Sequence, residues 1–187
     1  EIVPKEYKLK DIQEVTNYKK AVDLMIANAK RKVRLDLNLI LEYHKIAMSH
    51  IKEAGKIREQ NVKIPLNPDF KTANWKDIPK KLNKLIEKYN EFESEERSVK
   101  EIIEFSAFFH NEFQRIHPFI DGNSRMSRLL LLYILRSQGI PILDLPLGYF
   151  DLYLDLTKRS ERRDDTALQY LIEEVIFMNL KKINYLV

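Results

Sequence analysis

The sequence predicts an all-α fold with one small β-hairpin flap. Three observations carry this. Apolar residues recur at spacings of three and four along most of the chain, the period of a helix face. Glycine occurs 4 times and proline 7 times in 187 residues, too few turn formers for a sandwich or barrel of many short strands. Alternation of apolar and polar residues, the strand signal, is confined to one stretch at about 56–78.

Val15, Tyr18, Val22, Met25, Ile26 and Ala29 share one face, so Asp11–Arg31 reads as the first helix. Asp36 is placed to cap a second, whose apolar face is Leu39, Ile40, Tyr43, Ile46, Ala47 and Ile51, with Gly55 as its stop. The pattern then changes. Val62 and Ile64 alternate with polar neighbours, Pro65 and Asn67-Pro68-Asp69 mark turns, and Phe70–Ala73 returns as a second short strand, with Trp75 anchoring the return. A β-hairpin or an irregular flap would both satisfy this pattern. Pro79 suits the first turn of a third helix running to Phe92, with Leu82, Leu85, Ile86 and Tyr89 inward. Ser98-Val99-Lys100-Glu101 is a capping box. It opens a fourth helix so apolar (Ile102, Ile103, Phe105, Phe109, Phe113) that a central position is expected. His117-Pro118 ends it, because the residue before proline is pushed out of the helical region. A fifth helix, Asn123–Gln138, is closed by Gly139 and Pro141, and two more are expected near Gly148–Arg159 and Asp165–Ile183. No repeat or linker divides the chain, so one domain over 1–187 is expected, its core at about 15–180.

Composition narrows the function. Hydrophobic residues make up 44% and charged residues 32%, which excludes wholesale disorder. Cysteine is absent, so disulfides, thiolate metal sites and a cysteine nucleophile are excluded; a reducing, cytoplasmic setting is the expectation. The longest apolar run, Leu129–Leu135, is far short of the roughly 20 residues that span a bilayer, so no membrane partner is expected. The net charge of +4 comes from mixed signs, and Lys30-Arg31-Lys32 and Lys80-Lys81 sit within amphipathic segments. Solvated helix faces are the better reading of both, and no nucleic-acid partner is expected. The chain opens on Glu1 rather than Met, so further residues are expected ahead of it.

The chemistry concentrates in His117-Pro118-Phe119-Ile120-Asp121-Gly122-Asn123-Ser124-Arg125-Met126-Ser127-Arg128. A loop ends at Gly122-Asn123 and a helix begins. Its first amides lack intrahelical partners and carry partial positive charge, which makes an anion site. Arg125 and Arg128 project from those first turns, where the macrodipole disfavours each by about 0.3–1 kcal/mol. A polyanion would explain them. Asp121 adds one hard carboxylate, suited to Mg²⁺ shared with phosphate oxygens. His117 can take a proton from an attacking hydroxyl. Singly, each residue is better read as a turn, a cap or a junction histidine; together they point to phosphate chemistry.

This stretch resembles the signature of the Fic/Doc family, His-Pro-Phe-x-Asp/Glu-Gly-Asn-Gly-Arg-x-x-Arg, with Ser124 where Gly is usual. Gly55-Lys56-Ile57-Arg58 ahead of Val62-Lys63-Ile64, Ile78-Pro79, and Asn17-Tyr18-Lys19-Lys20-Ala21 also look like that family, so the resemblance spans about Val15 to Leu180. It implies a Fic-like helical bundle and a protein adenylyltransferase that moves AMP from ATP to a Ser, Thr or Tyr hydroxyl of a target protein, with Mg²⁺. By resemblance His117 is the general base and Asp121 the Mg²⁺ ligand. Gly122, Asn123 and Ser124 form the anion hole, with the Asn123 side chain on the α-phosphate. Arg125 takes the β- and γ-phosphates, Arg128 the γ-phosphate, and the flap pins the target by strand addition. Ser124 leaves two alternatives. If its position requires a left-handed backbone, serine costs about 1–2 kcal/mol there. If it is already helical, serine is harmless and its hydroxyl can donate to a phosphate. A phosphoryl or other phosphodiester-group transferase, or a silent nucleotide- or protein-binding module, stands beside the first reading.

Other residues rank lower. His44 and His50 are six apart and cannot share a helix face for a metal. His110 is expected to pack or to lie at the surface. Tyr149, Phe150 and Tyr153 would line an adenine pocket by resemblance, core packing being at least as good a reading. Many Fic proteins carry an inhibitory Ser/Thr-x-x-x-Glu-Gly/Asn helix whose glutamate pairs with the second arginine, here Arg128. Ser49…Glu53 and Thr157…Glu161 have the spacing but are followed by Ala54 and Arg162. The expectation is that any such brake lies upstream or on an antitoxin-like partner.

Overall fold

The computed structural model describes residues 9–64, 67–141, 147–157 and 163–184. Within these the chain is helical: α1 Leu9–Lys30, α2 Leu37–Ala47, α3 Ile78–Glu93, α4 Val99–Ile116, α5 Asn123–Ser137, α6 Leu147–Leu156 and α7 Asp165–Asn184. A 3₁₀ turn at Trp75–Asp77 leads into α3. Ser98 opens α4 with both halves of the capping box, and Asp36 caps α2 by accepting the Leu39 amide at 2.8 Å. The core forms around α4, which packs against α3, α5 and α7, while α1 lies against α2 and α5. One apolar cluster joins α1 to α5 through Met25, Tyr43, Tyr89, Phe109, Phe113 and Tyr133. A second joins α4 and α5 to α7 through Ile103, Ala107, Leu135, Leu168 and Ile172. Gln114 donates to the Ser127 hydroxyl at 2.6 Å, a buried polar tie between α4 and α5 beside the loop that joins them. Among the described residues no helix is long and apolar enough to cross a membrane.

Two expectations change. The second helix stops at Ala47 instead of running to Gly55. The chain continues in turns, with Ile51 N–H on Met48 and Ala54 N–H on Ile51. Gly55, at φ +74°, then lays its backbone against Lys45, where a Cβ would stand 2.9 Å from that of the lysine. The His44 ring draws this fold-back in, since the Gly55 amide donates to its Nδ1 at 2.9 Å. Met48 is buried and Ile51 still packs on the core, so the apolar spacing outlasts the helix.

The flap is irregular and not a two-stranded hairpin. Among the described residues its only ladder element is the single antiparallel bridge between Ile64 and Asn67. Pro65 lies outside the described residues, as do Arg159, the expected end of the sixth helix, and Glu161. The flap's polar groups bond elsewhere: Ala73 N–H to the Arg115 carbonyl (3.0 Å), Trp75 N–H to the Asn61 side chain (3.0 Å), and Thr72 Oγ1 to the Val62 carbonyl (3.3 Å).

Candidate active site

His117 is the residue just past α4. It takes a left-handed backbone, φ 51° and ψ 61°, which lets the chain turn into Pro118. That conformation costs a non-glycine residue about 1–2 kcal/mol. Its own bonds hold it: the N–H donates to Phe113 at 2.9 Å and the carbonyl accepts from Arg58 Nε at 2.7 Å. The side chain bonds the Gln114 carbonyl through Nδ1 at 3.2 Å. A carbonyl only accepts, so Nδ1 carries the hydrogen and Nε2 presents a lone pair. Burial, above all, pushes the imidazole down to about 4; the Gln114 carbonyl opposes this, and the Arg58 and Arg163 guanidiniums add to it. The ring is therefore neutral at neutral pH, as a proton acceptor must be.

The loop after His117 is stapled from both sides. Asn123 accepts from the Phe119 amide (3.0 Å) and donates to the Phe119 carbonyl (2.8 Å). Phe119 stacks on His44 at 3.6 Å between centroids, 3° from parallel. Because the Gly55 amide donates to Nδ1 of His44, Nε2 bears the other hydrogen and donates to the Asp121 carbonyl at 3.0 Å. Gly122 then takes φ 82°, and a Cβ there would meet Met48 at 2.8 Å, so only glycine fits. Gly122 is the N-cap of α5 and no side chain caps that end. The first amides of α5 thus open into the cleft as an anion nest. Ser124 lies within the helix, with no positive φ, so its side chain imposes no backbone cost.

The charges around this nest are placed as follows. Arg128 donates to Ser124 Oγ at 2.8 Å and lies over the Tyr153 ring at 5.7 Å. Among the described residues no carboxylate pairs with it. Arg125 Nη1 meets Glu14 of α1 at 3.1 Å, and its Nη2 stands 3.6 Å from Asp121 Oδ2. Asp121 Oδ1 accepts the Gly122 amide at 2.6 Å, and the side chain is 61% exposed. No three His, Asp or Glu side chains group into a metal cage among the described residues. One open carboxylate fits Mg²⁺ as a shared ligand, the remaining positions falling to phosphate oxygens and water.

These groups face one cleft of about 700 Å³, bordered by Val62, Lys63 and Ile64 of the flap on one side and Phe150 and Leu154 of α6 on another. Of the three aromatics considered for a base pocket, Phe150 reaches this cleft, whereas Tyr149 packs on the second apolar cluster. Tyr153 is buried and bonds His110 Nε2 at 2.8 Å. With His110 and Arg128 it lines a separate apolar cavity of about 110 Å³. His110 is a packing residue, fully buried, its ring pushed down to about 3 mainly by burial.

Residues 34–135 match the profile of the Fic/DOC family, more than half of the chain. The chain belongs to that family. Its Fic domain is 29% identical over 150 residues to the protein adenylyltransferase Fic of Drosophila erecta, covering 77% of this chain and 28% of that protein. It is 32% identical over 124 residues to the protein adenylyltransferase fic-1 of Caenorhabditis elegans, covering 63% and 22%. The chain thus spans under a third of the curated relatives it matches. In fold it is similar to a Fic domain-containing signalling protein of Bacteroides thetaiotaomicron, with a TM-score of 0.81 at 20% identity over 96% of this chain and 74% of that one.

Sequence reasoning missed four residues of this Fic domain's site. Arg58 was read as a flap landmark; it is 2% exposed and donates to the carbonyls of His117, Gln60 (2.5 Å) and Ala73 (2.6 Å), locking flap to loop. His44 was weighed only as a metal ligand. Glu14 drew no notice, since a charged residue on an amphipathic helix reads as solvated. Arg163 follows a stretch where the periodicity is weak. Only Arg58 carried a usable signal, a lone arginine beside a glycine at the flap's entry.

Proposed function

We propose that this Fic domain is a protein adenylyltransferase acting on ATP and a hydroxyl of a target protein. The observation that carries this is the His117 ring, neutral and with its Nε2 lone pair free, in the same cleft as the uncapped amides of α5 and the two arginines. The acceptor hydroxyl gives its proton to Nε2 as its oxygen bonds the α-phosphorus. The bond from that phosphorus to the bridging oxygen breaks and pyrophosphate leaves, so an AMP ester, pyrophosphate and one proton result. Amides of Asn123 and Ser124 and the guanidiniums of Arg125 and Arg128 hold the charge that develops on the phosphates. Asp121 would hold Mg²⁺, which when bound neutralises phosphate charge. Asn123 acts mainly by fixing the loop.

Val62 and Lys63 belong to no ladder among the described residues and border the cleft, which supports a target segment lying along the flap by strand addition. Arg128 is where an inhibitory glutamate, from an upstream helix or an antitoxin-like partner, would act. Incubation with ATP labelled at the α-phosphate, Mg²⁺ and lysate tests the reading. Label on protein is the expected result. Label passing only from the γ-position would make the chain a phosphoryl transferase, and no label from either would make it a binding module.

A further inference from the structure

Arg163 is a third guanidinium in the cleft, one that the proposed mechanism does not use. It precedes α7 and is 8% exposed. Among the described residues its buried Nε and Nη1 have no hydrogen-bond partner. The guanidinium lies over the Phe70 ring of the flap at 4.3 Å and borders the same cleft as His117. Burial, above all, draws its pKa down to about 10, so it remains a cation at neutral pH. A buried cation without an anion is costly, and the planar fork of an arginine matches a carboxylate.

The location says which anion. Phosphates have the amides of α5, Arg125 and Arg128 on the helix side. Arg163 is instead held by the flap, and the exposed Lys63 adds a second positive charge to that wall. We propose that Arg163 is a specificity residue that binds a carboxylate side chain of the acceptor polypeptide, close to the hydroxyl that is modified. This rests on the adenylyltransferase reading for the hydroxyl, and on Arg163 alone for the carboxylate.

The test uses fluorescein-labelled peptides with a central Thr or Tyr, flanked by Asp/Glu or by Asn/Gln. Binding is measured by anisotropy on protein saturated with a non-hydrolysable ATP analogue, and transfer from α-labelled ATP is followed in parallel. Wild type should bind the acidic set roughly tenfold tighter or more, the size of a charge-assisted hydrogen bond. Arg163→Gln should erase that preference and change the affinity for the ATP analogue less than about twofold; Arg163→Lys, which keeps charge but loses the fork, should fall between. Circular dichroism of each variant guards against unfolding. Equal binding of both peptide sets to wild type overturns the proposal, and so does a large loss of analogue affinity in Arg163→Gln, which would make Arg163 a phosphate ligand. Retained preference with no transfer would sink the adenylyltransferase reading and leave this one standing.

Discussion

At the scale of residues, protonation states decide what the cleft can do. With its ring held near 4, His117 stays neutral well below physiological pH. The acid limb of the transfer rate should therefore fall below about pH 5, not near the 6.5 of an ordinary histidine; a limb at 6–7 would mean a different base. Glu14 makes a second point. Its carboxylate sits on Arg125 at 3.1 Å and near His50 Nε2 at 3.5 Å, where a phosphate would otherwise bind. Glu14→Gln should tighten ATP binding by up to about fivefold, the worth of one partly exposed ion pair. Titration calorimetry would show it, and unchanged or weaker binding would make Glu14 a support for Arg125 instead. Neither residue's state was legible in sequence. The His117 tautomer follows from a carbonyl three residues back that the left-handed turn brings round, and Glu14 lies 111 positions from its arginine.

At the scale of elements, helices whose starts carry a chemical mark were legible and those that end by tertiary contact were not. Ser98 and Asp36 cap where the sequence placed them. Asp36→Ala should lower stability by about 0.5–2 kcal/mol in urea unfolding. The stop of α2 could not be read, because it depends on His44 reaching Gly55 and the Asp121 loop. The flap misled for a related reason: alternation of Val62 and Ile64 is a strand signal, but the carbonyls of Gln60 and Ala73 go to Arg58 rather than to a partner strand. Arg58→Ala leaves several buried carbonyls without donors, each costing roughly 1–3 kcal/mol. It should unfold the protein more than any cap variant, and a loss under 1 kcal/mol would show that water replaces it.

At the scale of the whole molecule, two buried histidines and one half-buried one make the fold acid-sensitive. His110, His117 and His44 all have rings depressed below 6.5, the first two to about 3 and about 4. Unfolded, each takes a proton as pH drops through about 6.5, while folded it does not. Stability is thus full above 6.5 and drains as pH falls towards 3. The urea midpoint should drop across that window, and His110→Gln, which can still accept from Tyr153, should flatten the slope. The bundle itself and the 117–128 loop were legible, since periodicity and a dense run of polar residues are local. Arg163 was not, because its importance comes from Phe70, far away in sequence.

The central claim is that His117 takes a proton and does not hold the nucleotide. It is tested most directly by measuring ATP affinity and label transfer on the same preparation of His117→Ala. Affinity should stay within about threefold, while transfer falls by roughly 10²–10⁴, the span of general-base catalysis. Transfer that survives, or affinity that falls as far as transfer does, would contradict it.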